Sequence, residues 1–185
     1  HRDLHSFPTR RSSDLRELLK RLVSNFTVIV PKINENIKVA EKEYLPLEIS
    51  KLKAYAIFSL YPEDTVLASD TIVIYENEVL GKPKNIEDAR RMLHLLSGKK
   101  HQVITAYTLI SPKKEVHRQV TTDVYFNHLS EQLIEDYLAT GSCLDKAGAY
   151  GIQDQDFPLV HHISGSYSNV MGLPLEMLEK DLKDF

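Results

Sequence analysis

The sequence predicts an α/β protein, a single domain built on a mixed β-sheet flanked by helices. Three observations carry that expectation. Strand-like and helix-like runs alternate along the chain. The run TVLASDTIVIY (residues 65–75) is almost continuously apolar, as a strand buried on both faces must be. Residues 102–110 and 115–126 both read as strands and are separated only by Ser111-Pro112-Lys113-Lys114, the pattern of an antiparallel pair.

The elements follow in order. Residues 16–22 form a short helix with Leu18, Leu19 and Leu22 on one face, and residues 26–30 a β-branched, aromatic strand closed by Pro31. Residues 46–60 carry Leu47, Ile49, Leu52, Tyr55, Ala56 and Ile57 at mixed helical spacings, with Glu48 near the start where it favours the helix dipole. Lys51 and Lys53 therefore sit on a helix. After the strand at 65–75, Asn77 leads into a hairpin-like return at 78–81. Residues 85–96 form a helix that Asn85 can cap, with Glu87 and Asp88 in its first turn and Ile86, Ala89, Met92, Leu93 and Leu96 as the buried stripe. Residues 130–138 are a capped helix stopped by Gly141, 147–151 a small-residue loop, 159–163 a strand, and 174–182 a helix entered through Pro174.

Composition narrows the function classes. The formal net charge of −3 leaves no basic field for nucleic acid, so an anionic substrate must be met by individually placed cations. The single cysteine, Cys143, excludes an internal disulfide, and no Cys/His spacing has the form of a zinc site. The longest apolar runs fall well short of a bilayer span of roughly 20 residues, and the N-terminus lacks the apolar core of a signal peptide. A cytoplasmic protein with no membrane partner is the expectation.

Asp70 is the residue to explain. It is flanked by Val66, Leu67, Ile72 and Val73, and a charge on a buried strand needs a cation, a metal or donors around it. It is either a general base or metal ligand, or a strand-end aspartate satisfied by backbone N–H groups. Gly81-Lys82-Pro83 presents a lysine on a stiffened loop, able to meet phosphate or simply solvated in a turn. Ser97-Gly98-Lys99-Lys100-His101 is not a P-loop, because Leu93 stands at the required glycine and Lys100 at the Ser/Thr place. Ser164-Gly165-Ser166-Tyr167-Ser168 has the wrong order for a nucleophile elbow. His161 and His162 are adjacent, which on a strand sends them to opposite faces and makes them poor joint metal ligands. In Asp145-Lys146-Ala147-Gly148-Ala149-Tyr150-Gly151-Ile152-Gln153, small residues let the backbone close on a ligand while Gln153 offers a donor and an acceptor. That segment is a base-reading loop or a tight turn with a surface glutamine.

From Arg16 to the C-terminus the chain resembles the Maf family of nucleoside triphosphate pyrophosphatases. The resemblance is carried by Arg16-Glu17-Leu18-Leu19, Ile33-Asn34-Glu35, Lys53-Ala54, Ser69-Asp70-Thr71, Gly81-Lys82-Pro83, Leu96-Ser97-Gly98-Lys99 with His101, Val103 and Thr105, the Asp145 to Gln153 segment, and Ser166-Tyr167-Ser168-Asn169-Val170-Met171-Gly172-Leu173-Pro174. Each is weak alone; together in one order they are specific. The resemblance implies a Maf/ITPase-like fold and metal-assisted hydrolysis between the α and β phosphates. The Lys-Ala-Gly-Ala-Tyr-Gly-Ile-Gln form is similar to the branch acting on dTTP and UTP. By position, Asp70 orients or deprotonates water and, with Glu35, holds a divalent metal, Mg2+ in preference to Mn2+ or Co2+. Lys53 and Lys82 neutralise phosphate, Thr71 supports them, and Gln153 reads the pyrimidine. The implied partner is the nucleoside triphosphate, with a homodimer as the protein assembly to consider. The alternative is a Maf-like protein that binds a nucleotide or a partner without turnover. Two departures stand inside the matched region: Asn34 in place of the usual Asp, and Asp154 in place of the usual Gly after Gln153.

The family opens with a strand leading into Ser-x-Ser-Pro-Arg-Arg-x-Glu-Leu-Leu, whose arginines meet phosphate at a helix N-terminus. Here Ser12, Ser13, Asp14 and Leu15 stand at Ser-Pro-Arg-Arg, and Arg10-Arg11 falls out of register. Residues 1–15 resemble, residue for residue, the conceptual translation of a sequencing-library adapter. The expectation is therefore an artefact segment at 1–15, a first strand missing or replaced, and a pyrophosphatase domain at 16–185 impaired by loss of its phosphate loop.

Overall fold

The computed structural model describes residues 4–6 and 12–185, with side chains from residue 14 on. The chain divides into two compact units, the first formed by His1–Thr71, Thr105–Val120 and Gly172–Phe185, the second by Ile72–Ile104 and Thr121–Met171. Three long strands, β3 (Thr65–Tyr75), β5 (Lys100–Ile110) and β6 (Glu115–Phe126), contribute residues to both.

In the first unit the strands neighbour one another in the order β2-β1-β3-β5-β6, where β1 is Leu4–Ser6 and β2 is Phe26–Val28. Strand β1 runs parallel to both neighbours, with Leu4 opposite Phe26 and Thr65. The place of the first strand, expected to be missing or replaced, is thus filled by a trio from the adapter-like segment. Between two strands, any extended trio can satisfy the facing N–H and C=O groups. The expectation that Arg10-Arg11 stand out of register falls outside the described residues.

Helices α1 (Ser12–Lys20), α2 (Leu45–Phe58) and α6 (Leu175–Lys183) belong to this unit. Leu18 and Leu19 are buried, and Ala54 and Ile57 of α2 pack with Val66, Ala68 and Ile110 of the sheet. The C-terminal helix is locked on by polar contacts as well. The buried Tyr107 hydroxyl donates to Asp181 at 2.5 Å, and Arg118 donates to both oxygens of that carboxylate at 2.9 and 2.8 Å. Arg118, burial opposing, holds the Asp181 carboxyl below its ordinary value.

In the second unit β3, β5, β6 and β7 (Val160–Ser164) are successive neighbours, and β4 (Glu78–Leu80) returns antiparallel on β3. Helices α3 (Ile86–Leu96), α4 (Glu131–Ala139) and the short α5 (Tyr167–Met171) complete it. Both longer helices begin as the sequence predicts. Asn85 accepts from the Asp88 amide at 2.8 Å, and Ser130 from the Leu133 amide at 3.1 Å. The core joins Met92, Leu93 and Leu96 of α3 to Ile134 and Tyr137 of α4 and to Val103, Val124 and Phe126 of the sheet. His101 is buried with Nε2 on the Tyr150 hydroxyl at 2.7 Å, and burial pushes its pKa down to about 4, so the imidazole is neutral at pH 7.

His161 and His162 depart from strict alternation. Their Nδ1 atoms lie 2.6 Å apart and both rings are exposed. The register explains it: Tyr125 pairs with His162 and Phe126 with Val160, leaving His161 as the extra residue of a bulge. His162 stacks on Tyr125 with centroids 4.1 Å apart.

Candidate active site

In the first unit β3 is buried along Thr65–Ala68, and its exposure begins at Ser69-Asp70-Thr71. The strand thus delivers Asp70 from an apolar stretch to the edge of solvent, with its side chain still only 15% exposed. Opposite stands Lys53 on α2. Its neighbours Ala54 and Ile57 bury the helix against the sheet, which forces the Lys53 stem inward as well. Lys53 Nζ donates to Asp70 Oδ1 at 2.8 Å and lies 3.2 Å from Glu35 Oε1. Burial works against the charge on Lys53, but Asp70 and then Glu35 outweigh it, so its pKa lies above the ordinary lysine value. The buried acid therefore has the cation that its environment demands.

Glu35 reaches this ammonium from an irregular, exposed segment. Asn34 accepts from the Asn36 amide at 2.9 Å, an Asx-type turn that shapes the chain around Glu35. Thr71 is placed differently. As the strand neighbour of Asp70 it points to the other face, where its hydroxyl meets Thr105 at 2.8 Å. The structure thus gathers Lys53, Asp70 and Glu35, and sets Thr71 in a separate contact.

Two carboxylates sharing one ammonium form a site whose charges are nearly balanced and whose oxygens face a solvent edge. Among the described residues no group of three or more His, Cys, Asp or Glu could hold a metal ion. A pair of carboxylates does fit Mg2+, which takes one or two and completes its shell with water and phosphate oxygens.

The second unit holds Lys82 and Gln153. Lys82 is exposed, and no hydrogen bond or ion pair holds its side chain among the described residues. Its loop is nevertheless fixed, because the Gly148 amide donates to the Gly81 carbonyl at 3.1 Å. Gly148 has φ +70°, and a Cβ there would stand 3.0 Å from a methyl of the buried Val73. Gly148→Ala is expected to lose about 2–4 kcal/mol of stability through left-handed strain and overpacking. A urea titration following α4 fluorescence or circular dichroism reads it; an unchanged midpoint would show that the loop yields freely.

Gln153 is exposed, with its amide nitrogen 3.6 Å from the Met171 sulfur. Next to it, Asp154 receives Tyr137, Ser142 and Lys146, a cluster that sequence reading did not assemble. Asp154 was visible as a departure from the family pattern. Its partners were not, because Tyr137 and Ser142 belong to other elements.

A profile of the family described as "Maf-like protein" matches residues 10–185. The chain is 44% identical over 168 residues to a dTTP/UTP pyrophosphatase of Pyrococcus furiosus, covering 89% of this chain and 87% of that protein. It is 41% identical over 171 residues to a dTTP/UTP pyrophosphatase of Bacillus cytotoxicus, covering 92% and 90%. Among solved structures, the Staphylococcus aureus Ham1 protein superposes with a TM-score of 0.55 at 14% identity over 98% of both chains. A HAM1 protein from Coxiella burnetii gives 0.56 at 14% identity over 98% of this chain and 99% of that one. At that identity the likeness establishes the fold.

Proposed function

The chain belongs to the Maf-like protein family, and from that premise we propose that it hydrolyses dTTP and UTP between the α and β phosphates, giving a monophosphate and pyrophosphate. The observation that carries the reading is the Lys53–Asp70–Glu35 cluster at the solvent edge of a buried strand. Asp70 accepts the proton of the attacking water as it adds across the anhydride. Lys53 fixes that carboxylate and meets charge that grows on phosphate oxygens. Glu35 and Asp70 would hold a divalent cation, Mg2+ by preference, which when bound polarises the phosphoryl oxygens. In the second unit the reading assigns Lys82 to phosphate charge and Gln153 to the pyrimidine. Thr71, tied to Thr105, acts by stiffening the strand beside Asp70.

The same proposal takes residues 16–185 as the catalytic domain, although the family match starts at residue 10, and takes 1–15 as a segment standing in for the native phosphate loop. It places the enzyme in the cytoplasm; no helix among the described residues is long and apolar enough to cross a membrane. The test is to incubate the purified chain and Mg2+ with dTTP, UTP, CTP and GTP and to resolve the products. Equimolar monophosphate and pyrophosphate, fastest from dTTP and UTP but slower than from a relative with an intact arginine loop, is the expected result. Orthophosphate with diphosphate, or binding without turnover, would refute the reading.

A further inference from the structure

One carboxylate oxygen, Asp154 Oδ2, receives three side-chain donors. They are the Tyr137 hydroxyl at 2.6 Å, the Lys146 ammonium at 3.1 Å and the Ser142 hydroxyl at 3.3 Å. The donors come from α4, from the turn that follows it and from the start of the glycine-rich segment. Tyr137 is fully buried, and burial together with Asp154 pushes its pKa up, so it stays a donor. The Tyr137 oxygen also accepts the Gly151 amide at 3.1 Å, and the Asp154 amide donates to the Gly151 carbonyl at 3.1 Å. The turn over residues 151–154 is thus closed on itself and bolted to α4 at both ends. Gly151 is required by close approach: a Cβ there would stand 2.8 Å from Lys146 Cε and 3.0 Å from Asp154 Oδ2.

Gln153 lies inside this turn, and only the Met171 sulfur touches its amide. A glutamine amide that is free to turn over presents donor and acceptor in either order. One order complements the O4 and N3–H edge of uracil and thymine; the reverse complements N4–H and N3 of cytosine. Selection between them therefore requires a fixed polarity, which a mobile turn cannot supply. Charge-assisted bonds are the strong way to fix it.

We propose that Asp154 is a positioning residue that holds the turn so that Gln153 keeps its amide nitrogen toward Met171, selecting uracil and thymine nucleotides over cytosine nucleotides. This rests on the assignment of Gln153 to the base. Asp154→Gly removes the acceptor of three donors, and its UTP over CTP preference in kcat/KM is expected to fall about tenfold through KM, with kcat on UTP within about twofold. Asp154→Asn keeps the size and loses the charge, so it should lie between, and it carries the test if the glycine variant does not fold. Calorimetric Kd values for UMP and CMP, which are not turned over, should show the same loss of preference. If Gln153→Ala loses the preference while both Asp154 variants keep it, the positioning role is overturned. If Gln153→Ala also keeps it, the assignment of Gln153 to the base has failed, and the proposal falls with it.

Discussion

Asp70→Asn is expected to lower pyrophosphate release from dTTP and UTP by about 10³-fold or more, the scale of a lost general base. The substitution is isosteric, and its amide oxygen can still accept from Lys53, which also keeps Glu35 at 3.2 Å. The strand is held by Val66, Leu67, Ile72 and Val73, all buried and untouched by the change. The fold should therefore survive, and far-ultraviolet circular dichroism with a melting curve checks that it does. Removing a negative charge beside a phosphate site does not weaken binding of the anion. The loss should consequently fall on kcat, with KM unchanged or lower. A variant retaining more than a tenth of the parental kcat would show that the carboxylate only balances Lys53 and that the proton goes elsewhere.

How much of this site was legible in the sequence depends on the range of the interaction. Strands β3 and β6 have the ends that their apolar patterns predict, and the Asn85 and Ser130 caps are local events that a few residues determine. Asp70 stood out because an acid in a buried strand requires a partner. That the partner is Lys53 was fixed by α2 packing through Ala54 and Ile57, a tertiary fact that Lys51 on the same helix would have fitted equally well on paper. Lys51 in fact pairs with Glu48 on its own helix. The resemblance to Maf proteins named Glu35, but its approach to Lys53 comes through an irregular segment with no periodicity to read. Helix α5 went unread because its five residues, Tyr167–Met171, are too few to show a period; its local sign is Ser166, whose hydroxyl accepts the Asn169 amide at 3.1 Å. Strand β1 lay in the adapter-like stretch set aside on grounds of origin. Origin does not stop three extended residues from filling a gap between strands.

Lys53→Met tests the other half of the same ion pair, and it should cost both activity and stability. The methionine replaces the buried stem, so little packing is lost, but Asp70 and Glu35 then face each other without the ammonium. Removing one side of such a pair is expected to lower unfolding free energy by about 1–3 kcal/mol, less than for a fully dry pair because Glu35 reaches solvent. Turnover should fall by about 10²–10³-fold with the loss of the cation that meets phosphate charge. The pH dependence has a definite sign. The folded-state pKa of Lys53 is raised, so its stabilising contribution is fully present below the unfolded-lysine value of about 10.4 and is lost as pH rises through the folded value. The stability difference between parent and variant should thus be constant from neutral pH to about 10 and shrink above it. Lys53→Arg separates charge from shape: it should restore much of the stability and little of the turnover, because a planar fork cannot occupy the point-charge position of the ammonium. Equal urea midpoints for parent and Lys53→Met, with turnover above half the parental rate, would show that Asp70 is satisfied without Lys53.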